Sequence, residues 1–299
     1  MTSRRTMLGT ALVAMTVLGT DAGAIVIYDP GTAADLPDPT LYARYDHDGA
    51  SGGFTPNGTA IVVGTNKILT VRHTSNPNPS PNVEFTIPTG VNAGTYKKAA
   101  GAGTEVNLGP NIDARIFTVV RVSDDSTPTL AFAPIFTGAL ANNDVAIGGY
   151  GRQIGTPLGS GNGYNVTSSP NDNSYSLLQG YNKIYDSDLD GEPTYIPYQD
   201  TPFIFADFDG PTGTGLDGLT KRPFEANVAE FDSGGGWWVK VGATWQLIGL
   251  TAVVTTPGTA DYGDMLGAVY LTPFAGSIPE PVALLPIAAT ALALLRRRR

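Results

Sequence analysis

Glu230-Phe231-Asp232-Ser233-Gly234-Gly235-Gly236 sets one serine between an aspartate and three glycines. The apolar run Trp237-Trp238-Val239 follows at once. A serine hydroxyl becomes a nucleophile when a sharp turn holds it beside backbone N–H groups and within reach of a base. Glycines after the serine let another backbone come close. The same residues also make an ordinary loop, because Asp-Ser-Gly-Gly is common turn chemistry. The choice depends on whether the rest of the chain supplies a base and an acid to orient it.

The chain has two histidines, His47 and His73. His73 closes the run Ile68-Leu69-Thr70-Val71-Arg72-His73. That run and Thr59-Ala60-Ile61-Val62-Val63 flank the turn Gly64-Thr65-Asn66. Two β-rich runs around a glycine-bearing turn predict a hairpin, with His73 at the end of its second strand. Taken without Ser233, such a histidine reads as a surface residue. Two acids stand near strand starts: Asp113, in Asn111-Ile112-Asp113-Ala114-Arg115-Ile116, and Asp144, in Asn143-Asp144-Val145-Ala146-Ile147. Residues 25–58 read as an entry segment with several turns, 74–110 as loop-rich, and 152–232 as loops with acidic clusters. Further strands are predicted at 237–241, 245–254 and 268–271.

Composition supports an all-β chain. Among 299 residues there are 37 glycines, 23 prolines and a charged fraction of only 15%. The balance of 18 Lys+Arg against 27 Asp+Glu, a formal charge of −9, argues against a nucleic-acid partner, which needs clustered cations.

Both ends read as addresses. Residues 1–24 carry Arg4 and Arg5, an apolar stretch and Ala22-Gly23-Ala24, the layout of a secretory signal. Ser3-Arg4-Arg5-Thr6 also fits a twin-arginine variant. There is no cysteine, so an exported domain has no disulfide framework and relies on its core. At the other end, Pro279-Glu280-Pro281 precedes an apolar run, 282–295, and four arginines. The run is shorter than the about 20 residues of a full membrane span, although flanking arginines snorkel. This tail, 277–299, resembles the PEP-CTERM sorting signal of Gram-negative bacteria. The resemblance implies a hydrophobic sorting helix, removed by a membrane sorting enzyme after signal peptidase has cut the leader, and delivery to the cell surface. Residues 25–276 suit one two-barrel domain.

The chain order His73, aspartate, Ser233 resembles that of the chymotrypsin- and trypsin-like serine proteases. Ile147-Gly148-Gly149-Tyr150-Gly151 resembles the family's glycine-aromatic-glycine strand, and Gly249-Leu250-Thr251-Ala252-Val253-Val254 its substrate-binding strand. The resemblance implies a double six-stranded β-barrel, barrel one over about 25–140 and barrel two over about 141–276. It implies a serine endopeptidase acting on protein or peptide substrates. Ser233 is then the nucleophile, His73 the general base, and the amides of Phe231 and Ser233 the oxyanion hole. For the acid, Asp144 has the closer local wording. Asp113 leaves room for the long connection that the family places before the glycine-aromatic-glycine strand, and is preferred. Asn227 falls where the family has its pocket floor, with Ala252 and Ala268 nearby, which implies a neutral pocket for small or apolar side chains. Asp232 is the acid before the nucleophile, to which a freed Ile25 ammonium would pair in activated relatives.

Two places depart from the family pattern. Phe231 stands where glycine is usual, and Val71-Arg72 stands where two small residues usually precede the histidine. These keep open a catalytically inactive fold that serves as a cell-surface binding module. No cofactor is expected. Asp186, Asp188 and Asp190 open like a calcium loop, but Pro197 occupies the position that needs a bidentate glutamate, so a solvated acidic loop is the stronger reading.

Overall fold

The computed structural model describes residues 25–27, 35–48, 54–74, 82–140, 144–152, 154–166, 176–185, 198, 200–210, 222–256 and 258–278. The leader, the tail beyond 278, and Asp186, Asp188 and Asp190 lie outside the described residues. Within them the chain is almost wholly β, with two short 3-10 turns, Pro39–Leu41 and Thr272–Ser277.

The first half holds β1 (Val26–Ile27), β2 (Tyr42–Asp48), β3 (Phe54–Gly64), β4 (Lys67–Thr70), β5 (Val83–Ile87), β6 (Gly94–Lys98), β7 (Glu105–Asn107) and β8 (Arg115–Arg121). β2 to β8 form one antiparallel sheet in the order β4-β3-β2-β5-β6-β8-β7. β4 also pairs with β8, which closes six of these strands into a ring. The second half holds β9 (Asp144–Gly149), β10 (Ile154–Pro157), β11 (Gly163–Val166), β12 (Leu178–Lys183), β13 (Phe203–Asp207), β14 (Ala226–Asn227), β15 (Gly236–Val241), β16 (Thr244–Val254), β17 (Thr259–Asp261) and β18 (Met265–Tyr270). Six of them form a second sheet, β12-β9-β15-β16-β18-β13.

The resemblance implies two six-stranded barrels, and the described strands are compatible with such a pair: the first closes, while the second is a half-barrel, open between β12 and β13. Among the described residues a backbone hydrogen bond, from Tyr185 N–H to the Phe205 carbonyl at 3.0 Å, joins those edges. The buried Asn182 amide fills much of the gap. Its Nδ2 donates to the carbonyls of Asp207 at 2.8 Å and Ala226 at 2.9 Å. A side chain thus satisfies carbonyls that a strand ladder would otherwise use.

Strand periodicity explains why both sheets read as continuous apolar runs. Successive side chains point to opposite faces. Ala60, Val62, Ile68 and Phe117 point into the closed ring, while their neighbours Ile61, Leu69 and Ile116 point toward the second sheet. Trp237, Val239 and Ile248 fill the half-barrel, while Trp238, Leu247 and Leu250 return the contact. Where the two sheets face each other both faces of these strands are buried, so they show no polar side, whereas β5 and β6 keep a half-buried polar face. The shared layer fixes a cleft between the sheets.

Glu225 is a buried acid that leads into β14. Its Oε1 accepts from Asp209 N at 2.8 Å and its Oε2 from Arg222 N at 2.6 Å. Burial raises its pKa from 4.5 to about 7, helped by repulsion from Asp209 and Asp207 and opposed by the two N–H bonds. The folded state therefore holds this proton more tightly than the unfolded state. Stability from this group is complete below pH about 4.5 and is lost as pH rises through about 7. Wild type is expected to lose about 1–2 kcal/mol more between pH about 5 and 8 than Glu225→Gln, after discounting for partial solvent screening. Urea melts across that range check this; parallel pH profiles for the two proteins would refute it.

Candidate active site

The β4–β8 ladder builds the first half of the site. Thr70 sits opposite Arg115, and the same antiparallel register carries Arg72 and His73 alongside Asp113 just beyond the paired residues. Asp113 is fully buried. Its Oδ1 accepts from the backbone N–H of Arg72 at 2.8 Å and of His73 at 2.9 Å. Its Oδ2 faces His73 Nδ1 at 2.6 Å. Three donors offset the desolvation of this carboxylate. The acceptor-only carboxylate assigns the ring proton to Nδ1, which leaves Nε2 as an acceptor. Ser233 Oγ lies 2.8 Å from that Nε2.

Ser233 arrives from the other sheet, on the loop between β14 and β15. Thr59 on β3 fixes it across the cleft. Thr59 N–H donates to the Ser233 carbonyl at 2.8 Å, the Thr59 carbonyl accepts from Thr70 Oγ1 at 2.7 Å, and Thr59 Oγ1 accepts from Tyr150 N–H at 2.8 Å. Gly234 is required by this approach. Its φ is +85°, and a Cβ there would lie 2.0 Å from the Thr59 carbonyl oxygen.

The structure thus brings together His73, Asp113 and Ser233, drawn from both halves of the molecule. Asp144 is elsewhere: it starts β9, is 67% exposed and pairs with Arg222. A cavity of about 180 Å3 opens beside Ser233, walled by Val228, Ala229, Ala252, Val253 and Val254. Ala252 lines it as the sequence implies. Asn227 and Ala268 do not. Asn227 lies fully buried behind the wall, donating to Asp264 at 3.3 Å and accepting from Val228 N at 2.8 Å. Ala268 is packed in the half-barrel core. Glu230 and Phe231 complete the rim, and Glu230 is paired with Arg152 at 2.7 Å.

Phe231 carries the local strain. Asp232 N–H donates to the Ala229 carbonyl at 3.1 Å, closing a tight turn in which Phe231 has φ +75°. The left-handed region costs a side chain roughly 1–2 kcal/mol. Arg152 stacks over the Phe231 ring at 5.5 Å, and its N–H donates to the Glu230 carbonyl at 2.9 Å. Phe231 therefore holds a backbone conformation that glycine adopts freely. Among the described residues, the N–H groups of Phe231 and Ser233 donate to no backbone carbonyl. Phe231→Gly is expected to keep or raise the rate at which a fluorophosphonate labels Ser233. Loss of labelling would mean that the aromatic ring itself orients the turn.

Asp232 is fully buried, and burial holds its carboxyl well above the usual range. Its Oδ1 accepts from Gly151 N–H and its Oδ2 from Ala229 N–H, both at 2.8 Å. Ile25 is also fully buried, and β1 pairs with β14, setting Val26 opposite Asn227. Backbone amides thus satisfy both Asp232 oxygens. Among the described residues no group of three His, Asp or Glu side chains is arranged to hold a metal ion.

Three features of this site have weak local signals. The bridging role of Thr59, the Arg152–Phe231 contact and the Arg72 contacts all join residues far apart in the chain. No protein-family model and no curated protein matches the chain.

Proposed function

We propose that this protein is an exported serine endopeptidase with a chymotrypsin-like double-barrel architecture whose second barrel is left open. The observation that carries the reading is the unbroken relay across the cleft, 2.6 Å from Asp113 to His73 and 2.8 Å from His73 to Ser233. In this reading His73 Nε2 removes the Ser233 proton as Oγ attacks the scissile carbonyl. The imidazolium that forms is stabilised by buried Asp113, then protonates the leaving amine. The tetrahedral oxyanion takes its hydrogen bonds from Phe231 and Ser233 N–H, donors worth about 3–4 kcal/mol each in comparable sites. Water repeats the sequence to release the acyl group.

The cavity supports an apolar residue before the scissile bond. Its volume slightly exceeds the about 150 Å3 that holds a benzene ring in a protein core. Among the described residues its only charged lining residue, Glu230, is already paired with Arg152. Peptides with Ala, Val, Leu or Phe at that position are expected to be cleaved at least about 100-fold faster than those with Arg or Lys, because an unpaired buried cation costs several kcal/mol. A peptide library read by mass spectrometry measures this, and a basic preference would refute it. The leader and the arginine-ended apolar tail support export and surface sorting.

The competing reading is an inactive fold used as a binding surface. The φ of Phe231 favours it, since a side chain in that turn taxes the oxyanion amide. Fluorophosphonate labelling of the wild-type protein separates the two. Covalent labelling at Ser233 supports the endopeptidase, and a folded protein that neither labels nor hydrolyses peptides supports the binding module.

A further inference from the structure

Arg72 occupies a position between the β4 ladder and His73, and its side chain turns back onto the loop that carries the acid. Its Nη1 donates to the Pro110 carbonyl at 2.7 Å, three residues before Asp113. Its guanidinium lies 4.3 Å from the centre of the Tyr198 ring. Tyr198 is tied to the same acid by a second route. Its carbonyl accepts from Thr201 Oγ1 at 2.8 Å, and that oxygen accepts from Asp113 N–H at 2.9 Å. The circuit closes where Arg72 N–H donates to Asp113 Oδ1.

We propose that Arg72 and Tyr198 form a clamp that positions Asp113 against His73. Two of the three donors to Asp113 are the backbone N–H groups of Arg72 and its neighbour His73. A side chain that pins Arg72 to the Pro110 loop therefore holds donor and acceptor in one frame. A planar guanidinium suits this task, because it hydrogen-bonds in its plane while stacking on an aromatic face. Tyr198 and Thr201 come from the segment just before β13, so the clamp ties the acid in the first sheet to the second half of the chain. Neither residue touches the reacting atoms; both act through Asp113.

The kinetic part of this inference rests on the endopeptidase reading, and a spectroscopic part does not. The proton on His73 Nδ1, held against a buried carboxylate, gives a far-downfield proton resonance in the full-length protein. It is assigned by its loss in His73→Gln. The resonance is expected to be sharp in wild type and to broaden by exchange with water in Arg72→Ala and in Tyr198→Leu, at temperatures where circular dichroism shows both folded. Arg72→Lys keeps a donor for Pro110 and is expected to recover part of the signal. In the same variants kcat is expected to fall about ten- to a hundredfold with KM unchanged, as for a catalytic group displaced by a fraction of an ångström. If Arg72→Ala does not fold, Tyr198→Leu decides, since it leaves every donor to Asp113 and the guanidinium charge in place. A sharp, unshifted resonance in a folded clamp variant overturns the proposal and leaves Arg72 as a stabilising contact only. A wild-type protein without hydrolytic activity but with this resonance would defeat the endopeptidase reading while the broadening still tests the clamp.

Discussion

Ser233→Ala is expected to abolish fluorophosphonate labelling and to lower peptide hydrolysis about 10^6-fold, the scale on which a nucleophile acting in concert with its base is lost. The fold is expected to survive. Among the described residues the Ser233 hydroxyl bonds only to His73, and the bond that fixes its loop, Thr59 N–H to the Ser233 carbonyl, is backbone on both sides. Alanine keeps that carbonyl, tolerates the same backbone angles and removes one partly exposed hydroxyl. Thermal melts of the two proteins should then coincide. Residual hydrolysis in the variant at the wild-type rate would point to a contaminant or to a different nucleophile. A large drop in melting temperature would mean that the loop, and not the chemistry, has been damaged.

Asp113→Asn is expected to lower kcat about 10^4-fold by imposing the wrong imidazole tautomer. Asparagine keeps one oxygen to accept from the Arg72 and His73 N–H groups. It then turns its NH2 toward His73 Nδ1, where only an acceptor can answer it. The ring proton moves to Nε2, and the ring no longer takes a proton from Ser233. Asp144→Asn is expected to have little effect, since Asp144 is an exposed residue whose partner is Arg222, and exposed ion pairs contribute about 0–1 kcal/mol. Steady-state kinetics on one peptide substrate rank the two variants, and the reverse order would refute the assignment of the acid.

Much of the candidate site was legible because the three side chains that the structure brings together sit beside recognisable local patterns. His73 follows a hairpin strand, Asp113 precedes one, and Ser233 lies in a glycine-rich turn. The fold was legible in outline only. The segments 25–58 and 74–110 read as loops, yet they contribute β2, β5 and β6 to the closed ring. Val83-Glu84-Phe85-Thr86-Ile87 alternates cleanly between buried and half-buried positions. Its signal was masked by the proline- and asparagine-rich run just before it, which reads as punctuation. Asp144 shows the limit of local wording, because its Asp-Val-Ala-Ile context fits the acid's strand while the register of β9 carries it to the surface. Asn227 shows the same limit at the pocket, where counting residues back from Ser233 gives sequence separation but not which side of the wall the side chain lies on. Long-range partners such as Pro110 and Tyr198 leave no mark near Arg72.

If the proposed endopeptidase activity holds, Thr59 has a consequence for when that activity can appear. A single residue spans the gap between the two sheets, receiving the nucleophile's loop on one side and the end of β4 on the other. Neither sheet by itself contains both halves of the relay, so a half-folded chain is chemically inert on the proposed reading. On that reading the relay is complete only where the two sheets are docked and the Thr59 bonds hold them together. If the proposed activity holds, docking of the two sheets acts as a safety catch, because a copy whose sheets are apart cannot cut its neighbours.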